Sequence, residues 1–387
     1  MWTAVRLILI RTIAVAWILA MFCPPSSAEL VAVGVHPDAV QQSTVRGSTL
    51  HTLEAVNGKI YVGYGDYASD TGPMSMRYFD TATGSFSGVL ANTNSEAIHR
   101  IKVIDGQVWA PTTDPLGFQL GGHIRGPASG GNWSSDESLE VLHFFDISSF
   151  SGNPNHLFLS GSGGPSHRFN SILYESQDGG SSWNVVLDLP VPASAPAGWF
   201  TRFYGIGELN DTLYVQQSLF GQGVTPLGMY TYSGANWTQQ TAPTTAGGQS
   251  VGFIDPTSFR NEIIVRDFHS GISLGPAFRF DGSQLTEIDV TGASGKLKFW
   301  DHYVADDRLY LLTGEQTVIA TEDFVNWSVV MSELPSTLRS IVVADGVLYL
   351  GATDASLYRA SAVPEPGSWW MLLAGLVAIG VKRMFAT

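Results

Sequence analysis

Short apolar strands separated by tight polar turns recur along this chain, and one arrangement of them appears seven times. In each copy an apolar strand leads through a polar turn into a second strand rich in Tyr, Leu and Val. The copies cover residues 53–63, 101–110, 154–161, 204–215, 251–265, 302–312 and 341–351. The pattern places their turns, 39 to 56 residues apart, at Gly58, Gly106, Asn155, Asp211, Glu262, Asp307 and Gly346. Asn-Gly and Asp-Gly between alternating apolar residues predict β-hairpins, because these residues tolerate positive φ angles.

A second hairpin signal follows in six of these units. It consists of a strand, a small polar turn and a large apolar residue, at 78–86, 126–133, 174–183, 230–237, 278–285 and 319–327. Two hairpins make a four-stranded sheet, and a repeat of this length built from four strands is typical of a β-propeller. The sequence therefore predicts an all-β fold, a β-propeller with seven four-stranded blades. Five, six or eight blades are the alternatives, should the weak third or fifth copy be misread.

The seventh unit is incomplete. After the hairpin at 341–351 only residues 355–360 remain before a different kind of sequence begins. We therefore expect the N-terminal segment 30–45 to supply the outer strands of the last blade, which would close the ring and remove exposed strand edges. The 42 glycines and 19 prolines serve the many turns, and helical patterns are convincing only at the two ends of the chain.

The first 28 residues have the form of a secretory signal peptide. Arg6 and Arg11 precede the apolar stretch 13–23, and Ser26-Ser27-Ala28 supplies small residues for cleavage by signal peptidase after Ala28. The only cysteine, Cys23, lies inside the segment that would be removed. The mature body would therefore have no disulfides, thiolate metal sites or cysteine nucleophile.

The last 25 residues, 363–387, have the form of a sorting signal. Pro364-Glu365-Pro366 is followed by the uncharged run 367–381 and then by Lys382-Arg383. The two basic residues fit a cytoplasmic end. This order resembles the PEP-CTERM signal of Gram-negative bacteria. The resemblance implies a hydrophobic helix in the inner membrane, processing by an exosortase, and delivery to the cell surface or extracellular matrix. An ordinary C-terminal membrane anchor and a buried helix are the alternatives.

The sequence therefore predicts three segments: a signal peptide at 1–28, a propeller at 29–362 and the sorting signal at 363–387. The full chain has a net charge of −14, and removal of both signals leaves 16 basic and 33 acidic residues, a charge of −17. This charge excludes nucleic acid as a partner, because a phosphate backbone requires a basic surface. It favours cations or neutral glycans over polyanions.

One turn carries a second resemblance. Ser176, Asp178, Gly180 and Trp183 match the Asp-box, a turn between the outer strands of blades in sialidase-like and related propellers. A shortened version occurs at 321–327. The hydroxyl and carboxylate are expected to bind amides of their own turn, and the indole to pack beneath it. The resemblance implies a structural role, since the box lies away from the catalytic face in those families.

Motifs for catalysis are scarce. The Arg-Ile-Pro segment typical of sialidases does not occur, and neither do His-Glu-x-x-His, Cys-x-x-Cys or an EF-hand loop. No cofactor or metal is therefore expected, and a non-catalytic protein is the favoured interpretation.

Polar residues at one end of the predicted channel are the candidate ligand site. In a propeller the innermost strand of each blade starts at one face, and the loop after the second strand returns to that face. The residues in these two positions are His51, Tyr64, Asp66, Arg100, Asp114, His143, His167, Arg168, Arg202, Asp267, His269, His302, Arg339 and Asp354, with His99 and Asp301 beside them. They are expected either to converge on a ligand or to solvate a water-filled channel.

Two functions stay open on this basis. The first is an exported surface or biofilm-matrix protein that binds an extracellular polysaccharide or a surface protein without catalysis. The second is a secreted glycan-cleaving hydrolase or lyase, which requires a pair of acids at a suitable separation. Asp66, Asp114, Asp267 and Asp354 are the candidates for that pair.

Overall fold

Seven antiparallel β-sheets arranged in a ring form the body of the protein in the computed structural model, which describes residues 29–360 except 119, 168, 222, 268–272 and 291–296. The innermost strand of each sheet contacts the innermost strands of the sheets before and after it, and the last sheet contacts the first. The predicted seven-bladed propeller of four-stranded blades is confirmed.

The first three blades are the most elaborate. The chain begins with β1 (Leu30–Val35) and then builds blade 1 from β2 (Thr52–Val56), β3 (Lys59–Gly63), β4 (Met74–Asp80) and β5 (Ser85–Phe86), with β6 (Ala91–Thr93) beside β4. After β7 (Ser95–Ala97), blade 2 contains β8 (Lys102–Ile104), β9 (Gln107–Pro111), β11 (Gly121–Pro127) and β12 (Ser134–Leu139), with β10 (Thr113–Pro115) in the β9–β11 loop. Blade 3 contains β13 (Val141–Phe150), β14 (Asn153–Gly163), β15 (Ser171–Ser176) and β16 (Asn184–Leu189). Strands β7 and β10 extend its sheet inward, so blades 1, 2 and 3 are joined at the channel.

The remaining blades follow the plain four-strand pattern. Blade 4 contains β17 (Phe200–Leu209), β18 (Thr212–Phe220), β19 (Val224–Tyr232) and β20 (Trp237–Gln240). Blade 5 contains β21 (Ile254–Phe259), β22 (Glu262–Arg266), β23 (Ala277–Phe280) and β24 (Leu285–Glu287). Blade 6 contains β25 (Phe299–Ala305), β26 (Arg308–Thr313), β27 (Val318–Thr321) and β28 (Trp327–Met331). Blade 7 contains β29 (Leu338–Ala344), β30 (Val347–Ala352) and β31 (Ser356–Ala360), and is completed by β1.

All seven inner hairpins have the same tight turn. Its two central residues both have positive φ, between 47° and 72°, in the pairs Asn57-Gly58, Asp105-Gly106, Ser151-Gly152, Asn210-Asp211, Arg260-Asn261, Asp306-Asp307 and Asp345-Gly346. This backbone twist matches the twist of the flanking strands. The predicted turn positions were wrong in two blades, because Asn155 lies inside β14 and Glu262 begins β22. In blade 5 the turn begins with Arg260, whose residue type gives no turn signal, whereas in blade 3 the Ser151-Gly152 signal lies a few residues before the predicted position.

The ring closes between the two ends of the described chain. β1 hydrogen-bonds to β31 as the outermost strand of blade 7, which confirms the predicted closure. The expectation that segment 30–45 provides all outer strands was wrong, because β31 provides the third strand. Residues beyond β1 form a 3-10 turn (Ala39–Gln41) and the short helix α1 (Val45–Ser48) instead. Thr44 caps this helix by accepting a hydrogen bond from Gly47 N at 2.8 Å.

Among the residues that the structure describes, the remaining helical elements are the 3-10 turns Leu116–Phe118 and Pro165–His167. Within the described part of the chain, no helix has the length and apolar character needed to cross a membrane. The predicted signal peptide and the sorting residues Pro364, Glu365, Pro366, Lys382 and Arg383 lie outside the described residues.

The hydrophobic core lies between neighbouring blades. Between blades 2 and 3, Trp109, His123 and Trp183 stack in sequence, with ring centroids 5.1 Å and 5.6 Å apart. The turn above Trp183 is held by its own side chains: Ser176 Oγ donates to Asp178 Oδ1 at 2.8 Å and accepts from Gly180 N at 2.8 Å. Gly180 has φ +80°, and its position against the Trp109 ring leaves no room for a Cβ atom.

Candidate ligand site at the channel mouth

The inner strands of all blades run in the same direction along the channel. Their first residues lie at one end of it, which we call the mouth, and their hairpin turns lie at the other, the turn end. Each second strand returns to the mouth, as the opposed pair Thr52 and Gly63 illustrates. Loops after the second strands therefore meet the starts of the inner strands, as the sequence predicts.

Nine polar side chains from helix α1 and blades 1 to 4 form one group here, joined by contacts or by electrostatic interaction, which we call the mouth cluster. They are Arg46, His51, Asp66, Tyr67, Glu96, His99, Asp114, His143 and Arg202. Six of them are candidates from the sequence, while Arg46, Tyr67 and Glu96 were missed. Tyr67 follows the candidate Asp66 directly, so its position next to a predicted site residue was the available signal.

Tyr67 lies at the centre of the mouth cluster. Its ring is 4.2 Å from the guanidinium carbon of Arg46, and its centroid is 5.4 Å from that of His99 and 6.0 Å from that of His143. These neighbours come from helix α1 and from blades 2 and 3, so the half-buried phenol ring of blade 1 contacts the starts of the next two blades. His51 completes this group, 4.9 Å from His99 between ring centroids.

The residues before blade 1 hold Asp66 in place. Its carboxylate accepts a hydrogen bond from Thr44 Oγ1 at 2.9 Å and from Ala68 N at 3.1 Å, and it lies 3.6 Å from Arg46 Nε. Asp66 is only 4% exposed, so these partners replace its hydration. Helix α1 thus positions a cation and its counter-ion beside Tyr67.

Two further carboxyl groups come from the inserted strands β7 and β10, which pair through Thr113 and Ala97. Burial, together with the nearby charges of Asp114 and Asp70, raises the pKa of Glu96 to about 8. Burial also raises the pKa of Asp114 to about 6, against the opposing effect of Arg202. His143 Nδ1 lies 3.9 Å from Asp114 Oδ2. The mouth cluster therefore contains one carboxyl group, Glu96, that retains its proton at neutral pH, beside a second, Asp114, that is mostly ionised there.

Arg202 closes the cluster on the side of blade 4. It is 4% exposed and surrounded by aromatic rings, with its guanidinium carbon 4.3 Å from the Phe200 centroid, 4.4 Å from Phe220 and 5.2 Å from Phe145. Nη1 donates to Tyr204 Oη at 3.2 Å. Cation–π contacts of this kind fix the guanidinium without neutralising it.

A second group of candidates lies deeper in the channel. A cavity of about 340 Å³ is lined by residues of all seven inner strands, including Arg100, Asp301 and His302. Arg100 Nη2 donates to Pro256 O at 2.9 Å, so this side chain reaches from blade 2 to blade 5. Burial lowers the pKa of His302 to about 3 and raises that of Asp301 to about 7. These three residues stabilise the channel and are separate from the mouth cluster.

Bulges in the inner strands explain why aspartates point at the next blade. Asp146 follows a register shift in β13 and accepts a hydrogen bond from Ile206 N of blade 4 at 2.9 Å. Asp301 follows a corresponding shift in β25 and accepts from Ile341 N of blade 7 at 3.0 Å. Each buried carboxylate therefore joins two adjacent blades.

The other candidates are not brought together. Tyr64 is buried in blade 1, where its hydroxyl bonds to Ser75 at 3.1 Å. His167 lies on the rim of blade 3, with Nδ1 3.1 Å from Asp188. Asp267 accepts from Gly252 N, Asp354 accepts from Ser356 N, and Arg339 stacks on Trp300 at 3.8 Å. Arg168 and His269 lie outside the described residues. Among the described residues, no group of three or more His, Cys, Asp or Glu has the geometry of a metal site.

Replacement of Glu96 by glutamine should flatten part of the pH dependence of stability. The folded-state pKa of Glu96 is about 8, above the ordinary value of 4.5, so between pH 4.5 and 8 the folded state keeps a proton that the unfolded state has lost. The contribution of Glu96 to stability is therefore fully present below pH 4.5 and is lost as pH rises through 8. The variant should therefore gain stability relative to the native protein between pH 5 and 8, by up to about 1.4 kcal/mol per pH unit. Urea unfolding at both pH values tests this, with the exposed Glu315→Gln as control; an equal difference at both pH values would contradict it.

The C-terminal segment and the fold can both be compared with known proteins. Residues 362–384 match the PEP-CTERM protein-sorting motif, which implies export, membrane anchoring before processing, and processing by an exosortase. The fold and this motif together define an exported surface protein with a propeller body. No curated protein matches the sequence.

Solved propellers superpose over most of the chain. YCF48 from Cyanidioschyzon merolae has a TM-score of 0.52 at 13% identity, covering 86% of this chain and 99% of its own. Virginiamycin B lyase from Staphylococcus aureus has a TM-score of 0.53 at 10% identity, with coverages of 86% and 99%. The Pan2 WD40 domain from Neurospora crassa has a TM-score of 0.53 at 11% identity, with coverages of 87% and 95%. At these identities the likeness shows the fold alone.

Proposed function

We propose that the propeller is a non-catalytic module that binds an extracellular glycan at the mouth cluster. The observation that carries this proposal is the unbroken series of contacts from Arg46 through Tyr67, His99 and His143 toward Arg202. A half-buried aromatic ring offers an apolar face with a polar tip, and sugars present both kinds of surface. The Tyr67 hydroxyl, Arg46, whose side chain is 27% exposed, and Asp114, whose side chain is 24% exposed, can form hydrogen bonds with sugar hydroxyl groups.

Charge supports a neutral glycan within this class. The body without its two signals has a charge of −17, and the mouth cluster adds no net positive charge to it, because Glu96 retains its proton and two carboxyl groups remain against two arginines. A polyanionic polysaccharide would be repelled by this field, whereas uncharged hydroxyl groups would not. A surface protein with a basic patch is the other partner compatible with the same charge.

A glycan-cleaving activity is the second candidate. Such an activity requires a protonated acid beside a second carboxyl group. Glu96, with its pKa raised to about 8, and Asp114, with its pKa raised to about 6, fit these two roles. Asp114 was a candidate acid from the sequence, and Asp66 lies in the same cluster. Asp267 and Asp354 bind backbone amides elsewhere and do not take part in this pair.

One experiment separates the two candidates. Purified protein is incubated with immobilised exopolysaccharide of the producing bacterium, and both retention and release of new chain ends are measured. Tyr67→Ala should weaken retention about tenfold, because loss of an aromatic anchor costs more than about 1 kcal/mol. Tyr358→Ala, which removes a half-buried tyrosine from β31, should leave retention unchanged.

The outcomes are distinct. Unchanged retention by a folded Tyr67→Ala variant would remove the mouth cluster as the glycan site. New reducing or unsaturated ends, abolished by Glu96→Gln, would favour the cleaving candidate over the binding module. Circular dichroism and thermal unfolding of each variant establish that the fold is intact.

A further inference from the structure

We infer that the propeller carries a second binding site, for a short neutral saccharide, in a groove between blades 2 and 3. This interblade groove has a volume of about 330 Å³ and is lined by Gln107, Trp109, Arg125, Asn132, Ser134 and Asn155. Gln107 follows the inner turn of blade 2, and Asn132 lies in its outer turn. The groove therefore opens at the turn end, opposite the mouth cluster, and the inference does not rest on the proposed function.

The back of the groove is fixed by contacts between the two blades. Arg125 of blade 2 donates from Nη1 to Gly179 O of blade 3 at 2.6 Å, and its guanidinium carbon lies 5.4 Å from the Trp109 ring. Trp109 is only 3% exposed and packs against His123. One hydrogen bond uses one of the five guanidinium donors, so Arg125 retains donors for a ligand. The wall is therefore formed before any ligand arrives.

The rim of the groove supplies unused hydrogen-bonding groups. Within the described residues, the side chains of Gln107, Asn132, Ser134 and Asn155 form no hydrogen bond to the protein. Each amide carries two donors and one acceptor oxygen, and the serine hydroxyl can act as either. Three amides and one hydroxyl thus line the interblade groove, where they are available to form hydrogen bonds with a ligand.

These groups select the ligand by its chemistry. A hydroxyl group both donates and accepts hydrogen bonds, as a side-chain amide does. Two neighbouring hydroxyl groups of a sugar can therefore pair with the oxygen and the nitrogen of one amide. Arg125 and Asp105 balance each other in charge, so the groove offers no net attraction to a polyanion. An apolar ligand would leave the amides unpaired at a cost in free energy. The volume lies at the lower end of the range for small-molecule pockets, which limits the occupant to a short saccharide.

The test uses the purified protein and defined sugars. Neutral di- and trisaccharides of glucose, galactose and mannose are titrated by calorimetry and by saturation-transfer NMR, with a uronic acid disaccharide and an extended peptide as comparators. At least one neutral saccharide should bind. The double variant Asn132→Ala with Asn155→Ala should bind it at least tenfold more weakly, since two amides are lost.

Two controls separate this site from the mouth cluster. Asn236→Ala removes an exposed asparagine from the corresponding turn of blade 4, and Tyr67→Ala removes the centre of the mouth cluster. Asn236→Ala should leave binding of the short saccharide unchanged. The binding that persists in Tyr67→Ala should be lost when Asn132 and Asn155 are also replaced by alanine. The inference is overturned if no neutral saccharide binds, if the uronic acid or peptide binds more tightly, or if the double variant binds normally. Loss of binding in Tyr67→Ala alone would also overturn it, while supporting the mouth cluster.

Discussion

Replacement of Asp146 by alanine should lower the free energy of unfolding by about 3–5 kcal/mol, the range expected when a buried ion pair loses one partner. The carboxylate is 1% exposed as a side chain and lies 2.8 Å from Lys102 Nζ and 3.6 Å from Arg100 Nε. It also accepts the hydrogen bond from Ile206 N that joins blade 3 to blade 4. The variant leaves two cations without their counter-ion and a buried amide without its acceptor.

Urea unfolding monitored by tryptophan fluorescence measures this effect. Asp354→Ala is the matched control, because that aspartate is exposed and, within the described part of the chain, its side chain bonds to Ser356 N of its own turn alone. The control should change stability by less than about 0.5 kcal/mol. Equal stability of the two variants would show that Asp146 does not join the blades.

Deletion of residues 30–35 should produce the second large effect. Removal of β1 leaves β31 as an unpaired edge and opens the last blade. An exposed edge strand promotes pairing between chains. The deleted protein should therefore aggregate or form dimers, and its unfolding midpoint should fall.

Light scattering and thermal unfolding measure this outcome, and a peptide with the sequence of residues 30–35 provides the control. Added in excess, it should restore a monomeric protein by strand addition. A peptide of the same length with proline in place of Val33 should not, because proline lacks the amide donor that a strand pair requires. A deleted protein that stays monomeric with an unchanged midpoint would rule out closure by β1.

The blade pattern was predictable because it depends on local rules. Alternation of apolar residues and turn residues with positive φ fix each hairpin within about ten residues of sequence, as at Asn57-Gly58. The prediction at Asn155 fails because the Ser151-Gly152 signal lies a few residues before that position. The prediction at Glu262 fails because the turn begins with Arg260, which adopts positive φ without belonging to the usual residue types. Tertiary packing holds the Arg260 turn, and a sequence pattern does not report it.

The site was less predictable, since it depends on insertions and bulges. Tyr67 enters the mouth cluster from the loop between β3 and β4, and Glu96 enters it on the inserted strand β7. Arg100 belongs to the channel rather than the mouth, because its side chain extends across the ring to Pro256. Counting residues from strand starts gives the correct end of the propeller but not the direction of each side chain.

Closure of blade 7 also bears on when this protein can acquire its structure. β1 is among the first segments to be synthesised and β31 is the last described strand, so their pairing joins positions roughly 330 residues apart. Joining the ends of a loop of that length costs about 5 kcal/mol of chain entropy. The ring cannot close until its last strand has been synthesised. A chain that is still growing therefore remains an open ring, and completion of β31 sets the earliest moment of closure.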